Sequence, residues 1–168
     1  MKPLLTTLIL ACLVQVSTLA LAAQNEPREL AWDDLMPEGW EPPPPPAPAS
    51  IFDDESGPAA AQQSPGAPVV EALNQQFVKI PGFVLPIEYE GNQVTEFLLV
   101  PYVGACIHVP APPGNQVVYV KLETPFAITG LYDAIWVEGT MLTQRVESAY
   151  AAAQYTLEGQ NVTMYVWD

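Results

Sequence analysis

The chain has 168 residues, 49% of them hydrophobic, with 19 prolines, 5 basic and 19 acidic side chains and a formal net charge of -14. That length holds one ordered domain at most. Such acidity repels phosphate backbones and anionic lipid, which excludes a generic nucleic-acid binder and polybasic docking on a membrane.

The first 23 residues read as an export signal. Lys2 precedes an apolar run over 4–21 that closes on Ala20-Leu21-Ala22-Ala23, small residues at the spacing a signal peptidase needs. Cleavage after Ala22 or Ala23 predicts a periplasmic or secreted protein. Two other readings fit less well. A retained anchor is disfavoured by Thr6, Thr7 and Gln15 within the run and by the lack of a positive charge beyond it. A lipoprotein cut at Ile9-Leu10-Ala11-Cys12 would leave 13–23 as an apolar start to the mature chain. With Cys12 removed, Cys106 becomes the sole thiol and no internal disulfide can form. In an oxidising compartment such a cysteine is buried, metal-bound, paired to another chain or reactive. No second long apolar run follows, so no membrane span is expected after cleavage.

Residues 24–68 carry eleven of the nineteen prolines, including the unbroken run 42–46, and from Glu26 to Glu55 they hold nine acids against Arg28 alone. This composition buries too little apolar surface to offset its ordering entropy, so an extended acidic arm with polyproline II stiffness is expected. One island stands out within it. Trp32, Leu35 and Met36 recur at i, i+3 and i+4 among acids, with Trp40 close behind. Either they form a docking face for a protein partner, or they pack back on the chain's own domain as a clasp.

From Val69 to the C-terminus β-branched and aromatic residues dominate in short runs. Residues 77–80 and 82–89 predict a bent strand whose prolines mark an edge or bulge. Gly91-Asn92 predicts a hairpin into 94–100. Further strands are expected over 116–122, over 135–142 with a bulge at Gly139, and over 162–167, with one short helix over 146–154. The fold class is mainly β: a small barrel or sandwich of five to six strands. By shape the first choice is an oligonucleotide-binding-type barrel, with charge excluding nucleic acid as ligand.

The chemistry-bearing residues gather at Cys106 and His108. On an extended segment, residues two apart share a face, and thiolate with imidazole suits zinc or copper. Zinc asks for three or four protein ligands, so Glu96, Glu88 or Asp133 would have to join. The alternative is packing: a small buried thiol and a loop histidine bonded to a carbonyl. Serine-elbow, phosphate-loop, His-Glu-x-x-His and paired-cysteine motifs are absent.

Four stretches carry a resemblance: Val78-x-Ile80-x-Gly82-Phe83-x-x-Pro86; Glu96-Phe97-Leu98-Leu99-Val100-Pro101; Cys106-x-His108-x-Pro110-x-Pro112-Pro113-x-Asn115-Gln116; and Val137-x-Gly139-Thr140. In these the chain resembles a family of secreted proteobacterial proteins known as a domain of unknown function, DUF3299. Trp32-Asp33-Asp34-Leu35 and Asp53-Asp54-Glu55 resemble its N-terminal arm. Genes of that family often stand beside those of an ABC-type exporter-like system and a histidine-rich, zinc-responsive secreted protein. The resemblance therefore implies a periplasmic accessory of metal homeostasis with a membrane transporter component as partner. Its Cys-x-His pattern falls on Cys106 and His108. Three functions follow as expectations: a noncatalytic adaptor, a thiol- or metal-dependent enzyme centred on that loop, or a structural envelope protein.

Overall fold

The structure, a computed structural model, describes residues 26–42, 63, 66–106 and 111–166. The signal segment and most of the proline-rich stretch lie outside the described residues. Among the described residues eight strands form: β1 (Arg28–Glu29), β2 (Gln76–Glu90), β3 (Gln93–Val100), β4 (Val118–Ala127), β5 (Ala134–Leu142), β6 (Val146–Glu147), β7 (Ala152–Ala153) and β8 (Tyr155–Met164).

Five of them close a barrel. β2 pairs antiparallel with β3, β3 with β4, β4 parallel with β8, β8 antiparallel with β5, and β5 antiparallel with β2. Numbered within the barrel the order is 1-2-3-5-4-1, the connectivity of the oligonucleotide-binding type. β2 makes closure possible because it serves two neighbours: its first half ladders with β5 from Gln76↔Met141 to Phe83↔Ala134, and its second half with β3 from Phe83↔Val100 to Glu90↔Gln93. The strand bends where it changes partner. There Gly82 lies so close to β3 that a Cβ would meet Leu99 Cγ at 2.6 Å. Gly91, with φ of 62°, takes the first position of the two-residue β2–β3 turn, where a left-handed backbone is needed.

Period two sorts the side chains. Val78, Ile80, Phe97, Val120, Val137 and Leu157 point inward and are fully buried. Leu85, Leu98 and Val117 point outward and are also buried, in a second cluster. The middle of β2 and the second half of β3 are therefore covered on both faces, which is why 83–85 and 97–100 read as continuous apolar runs, whereas β4 alternates, with Lys121 and Glu123 exposed.

Residues 26–42, expected as part of a mobile arm, are packed on the barrel. β1 runs parallel to β2 through Arg28↔Val78 and Glu29↔Lys79, and a 3-10 turn follows at Trp32–Leu35. Leu30 and Leu35 enter the main core at 1% and 0% exposure. Three side chains fasten this strap. The buried Tyr155 hydroxyl donates to the Leu35 carbonyl at 2.9 Å and accepts from the Val70 N–H at 2.6 Å. Trp32 Nε1 donates to the Pro81 carbonyl at 2.9 Å, and Gln116 Nε2 to the Trp32 carbonyl at 2.9 Å. Each full burial of a leucine stabilises by about 1.5–3 kcal/mol, which outweighs the local composition that predicted mobility.

Two other expectations are corrected. The alanine-rich stretch over 146–154 is no helix: β6 and β7 pair as a miniature hairpin around Ser148, whose Oγ donates to the Ala151 carbonyl at 2.7 Å and accepts from its N–H at 3.1 Å. Ala151 and Ala153 are spent on the second core, and nine residues are too few to hold a helix against that pull. The last strand also starts earlier, at Tyr155 rather than 162. Gly159 sits inside the strand, where a side chain would collide with Leu122 Cδ2 at 2.5 Å.

Candidate functional site

The outer face of β3 and β4 is where a barrel of this connectivity takes its ligands. Here the chain itself covers the part of that face around Leu98, Val100 and Val117, while Lys121 and Glu123 farther along β4 stay exposed. The excursion after β3 and the β6–β7 hairpin lay Ala105, Cys106, Ala111, Ala151 and Ala153 over Leu98, Val100 and Val117. Gln63 ties the two coverings together, donating from Nε2 to the carbonyls of Pro112 at 2.7 Å and Ala152 at 2.9 Å and accepting from the Ala152 N–H at 2.8 Å. No sequence signal marks Gln63, because its partners lie 49 and 89 residues away.

Cys106 is 1% exposed in this cover, in the left-handed region at φ of 69°. Tyr132 donates its hydroxyl to the Ala105 carbonyl at 2.9 Å. Burial pushes the thiol from an ordinary 9.0 up to about 12. Burial, with the thiol as a lesser cause, also raises Tyr102 and Tyr132, and Tyr132 packs on the cluster that holds Cys106. His108 lies outside the described residues.

Two of the three carboxylates that could complete a metal site are engaged otherwise, and the third, Glu88, is exposed on β2. Glu96 accepts the Tyr119 hydroxyl and pairs with Lys121 Nζ at 3.3 Å. Burial, then that hydrogen bond and the charges of Glu96 and Glu88, hold the Tyr119 phenol above its usual range. Asp133 caps the turn before β5, accepting from the Thr129 N–H at 2.6 Å and its hydroxyl at 2.9 Å. Among the described residues no three His, Cys, Asp or Glu side chains gather as a metal would require.

The buried thiol makes a measurable prediction. Below pH 9 it is protonated in folded and unfolded chains alike, and its contribution is intact. As pH rises from there toward about 12 only the unfolded chain ionises, so folding stability should fall by up to about 1.4 kcal/mol per pH unit. Urea titrations at pH 8 to 11 should show this slope reduced in Cys106→Ala, and Ellman's reagent should label the native thiol only as fast as the chain opens. Equal slopes in the two proteins would contradict the buried placement.

Of the residues expected to meet a partner, Leu35 is in the core and Trp32 is fastened to Pro81, while Met36 and Trp40 remain half-buried at the surface. A further feature escaped sequence reasoning. The parallel β4–β8 ladder ends at Leu122↔Gly159, and beyond it the two strands diverge around a groove of about 750 Å³ bordered by Glu123, Thr124, Phe126, Glu158, Asn161 and Val162.

A family model described as "Protein of unknown function (DUF3299)" matches residues 32–164. The chain belongs to the DUF3299 family. A crystal structure of a DUF3299 family protein from Pseudomonas aeruginosa PAO1, at 2.45 Å resolution, is similar, with 50% sequence identity, coverage of 86% of this chain and 99% of that one, and a TM-score of 0.73. No curated protein matches. The DUF3299 match begins at Trp32 and so includes the 3-10 turn of the strap. The DUF3299 motif residues also have identifiable work: Asn115 Nδ2 donates to the Pro68 carbonyl at 2.9 Å, Gln116 holds Trp32, Gly82 leaves room for the Leu99 side chain, and Gly139 sits where the β8 backbone approaches too closely for a Cβ.

Proposed function

We propose that the protein is a noncatalytic periplasmic accessory, an adaptor that works by contacting a protein partner, in metal homeostasis involving zinc or beside an ABC-type transport system. The observation that carries the noncatalytic part is Cys106: the one free thiol among the described residues is buried under apolar and tyrosine side chains and held in its protonated form. A nucleophile or an open metal ligand needs the thiolate and access to it. The covering over Leu98, Val100 and Val117 supports the same reading, because the chain's own side chains occupy that part of the face. The link to zinc and to a transporter rests on the gene neighbours of the family. Among the described residues no helix is long and apolar enough to cross a membrane.

Elemental analysis of purified protein decides between this reading and a metal-dependent one. Zinc and copper contents should be substoichiometric and equal in the wild type and in a Cys106→Ser, His108→Ala double variant. One equivalent of metal in the wild type, lost in the double variant, would replace the adaptor by a metal protein or metalloenzyme centred on that loop. Periplasmic fractionation followed by N-terminal sequencing should find a mature chain starting at Ala23 or Gln24.

A further inference from the structure

Two strands of the barrel part company at a place where both are irregular. In β4 the pairing with β3 jumps from Glu96↔Lys121 to Val94↔Phe126, so that Glu123, Thr124 and Pro125 have no ladder partner in β3, and the ladder with β8 has already stopped at Leu122. In β8 the pairing with β5 jumps from Gly139↔Gly159 to Glu138↔Asn161 and leaves out Gln160. Both bulges open on the same groove. Past them, Phe126 and Ala127 pair only with β3, and residues 161–164 only with β5, so each strand presents an unladdered edge toward the other. Bulges of this kind concentrate beside functional sites, and an exposed edge is a template for an added strand.

The charges select the occupant. Glu123 and Glu158 are exposed at the groove, and the one cation bordering it, Lys121, is held by Glu96. Phe126 and Val162 form an apolar floor continuous with the core. Pro125 removes one N–H from the β4 edge, which discourages the edge-to-edge pairing of two copies of this chain. The chain's own proline-rich stretch, with Asp53-Asp54-Glu55, has the wrong sign and too many prolines to fill it.

We propose that the groove between β4 and β8 receives an extended strand of a partner protein bearing alternate lysine or arginine residues, which ladders onto the free edges and sets its cations against Glu123 and Glu158. The inference rests on the adaptor reading and names the partner's chemistry. Apolar side chains of such a strand face Phe126 and Val162, and basic ones alternate outward.

The test titrates isotope-labelled full-length protein with a blocked nine-residue peptide alternating lysine with valine and threonine, and with its glutamate counterpart. Amide shifts should move within 121–126 and 158–162, and affinity should fall at least tenfold for the glutamate peptide. It should fall as much for the Glu123→Lys, Glu158→Lys double variant, whose fold is checked by its own amide spectrum. Thr124→Trp, which fills the groove without changing charge, should also abolish binding. Shifts centred elsewhere, equal binding of the two peptides, or no binding at millimolar lysine peptide would overturn the proposal. A photo-crosslinking residue placed in cells at Ala127, exposed on β4 beside the groove, or at the exposed Leu131 separates this failure from that of the adaptor reading. Crosslinks from Leu131 alone retain the adaptor and sink the groove, and none from either sinks both.

Discussion

Leu35→Ala should lower the unfolding free energy by about 2–5 kcal/mol, the range for truncating a buried leucine whose surroundings collapse only in part. The residue lies on the strap, in a segment whose acid and proline content predicts mobility, yet its side chain is fully buried against the barrel. Its carbonyl also accepts the Tyr155 hydroxyl, which in turn holds the Val70 N–H, so one phenol joins the strap, the chain leading into β2, and β8. Tyr155→Phe should therefore cost about 1–3 kcal/mol, because it leaves a buried donor and a buried acceptor without partners. The two changes share a contact, and their sum should exceed the double variant's loss by at least 0.5 kcal/mol, roughly the smallest coupling between touching residues. Urea unfolding followed by circular dichroism and by tryptophan fluorescence checks all three. A loss below about 0.5 kcal/mol for Leu35→Ala, the level of an ordinary surface substitution, would show that the strap is not docked in solution.

Much of the barrel was legible because its signals are local. The alternation over 116–122, the β-branched and aromatic run over 135–142 and the Gly91-Asn92 turn into 94–100 each depend on neighbours in sequence, and each strand is found with its ends moved by a few residues. The strap was legible only as one of two alternatives, the clasp of Trp32 and Trp40 on the chain's own domain, and the burial of Leu30 and Leu35 was not, since Tyr155, Leu73 and β2, with which they cluster, lie far along the chain. The spacing of Trp32 and Leu35 was noticed, but a spacing does not say whose surface the residues meet. Cys106 and His108 stood out by rarity, and rarity carries no information on burial: the fold of the excursion around Cys106 decides it. The groove between β4 and β8 had no sequence signal at all, because it arises from two register jumps, and register is a property of strand pairs.

Gly139→Ala should be the most damaging small substitution in the barrel. A Cβ at this position would lie 2.2 Å from the Glu158 carbonyl oxygen and 2.8 Å from both the Glu158 carbonyl carbon and Gly159 Cα. Every one of these atoms is backbone, so no rotamer change relieves the clash, and β5 must move off β8 at the bulge that sets their register. Overpacking of a core costs about 1–3 kcal/mol and more when the backbone is displaced, and a collision this short belongs at or above the upper end. Gly130→Ala supplies the control. It sits in an open bend with nothing within 4 Å of a Cβ, and should be neutral or stabilising by up to about 1 kcal/mol through a less flexible unfolded chain. Thermal melts of the two variants, made side by side, test the register directly. If Gly139→Ala melts with the wild type, then Gly139 does not face Gly159, Gln160 is not bulged, and the edge of β8 facing the groove loses the geometry from which a partner strand was inferred.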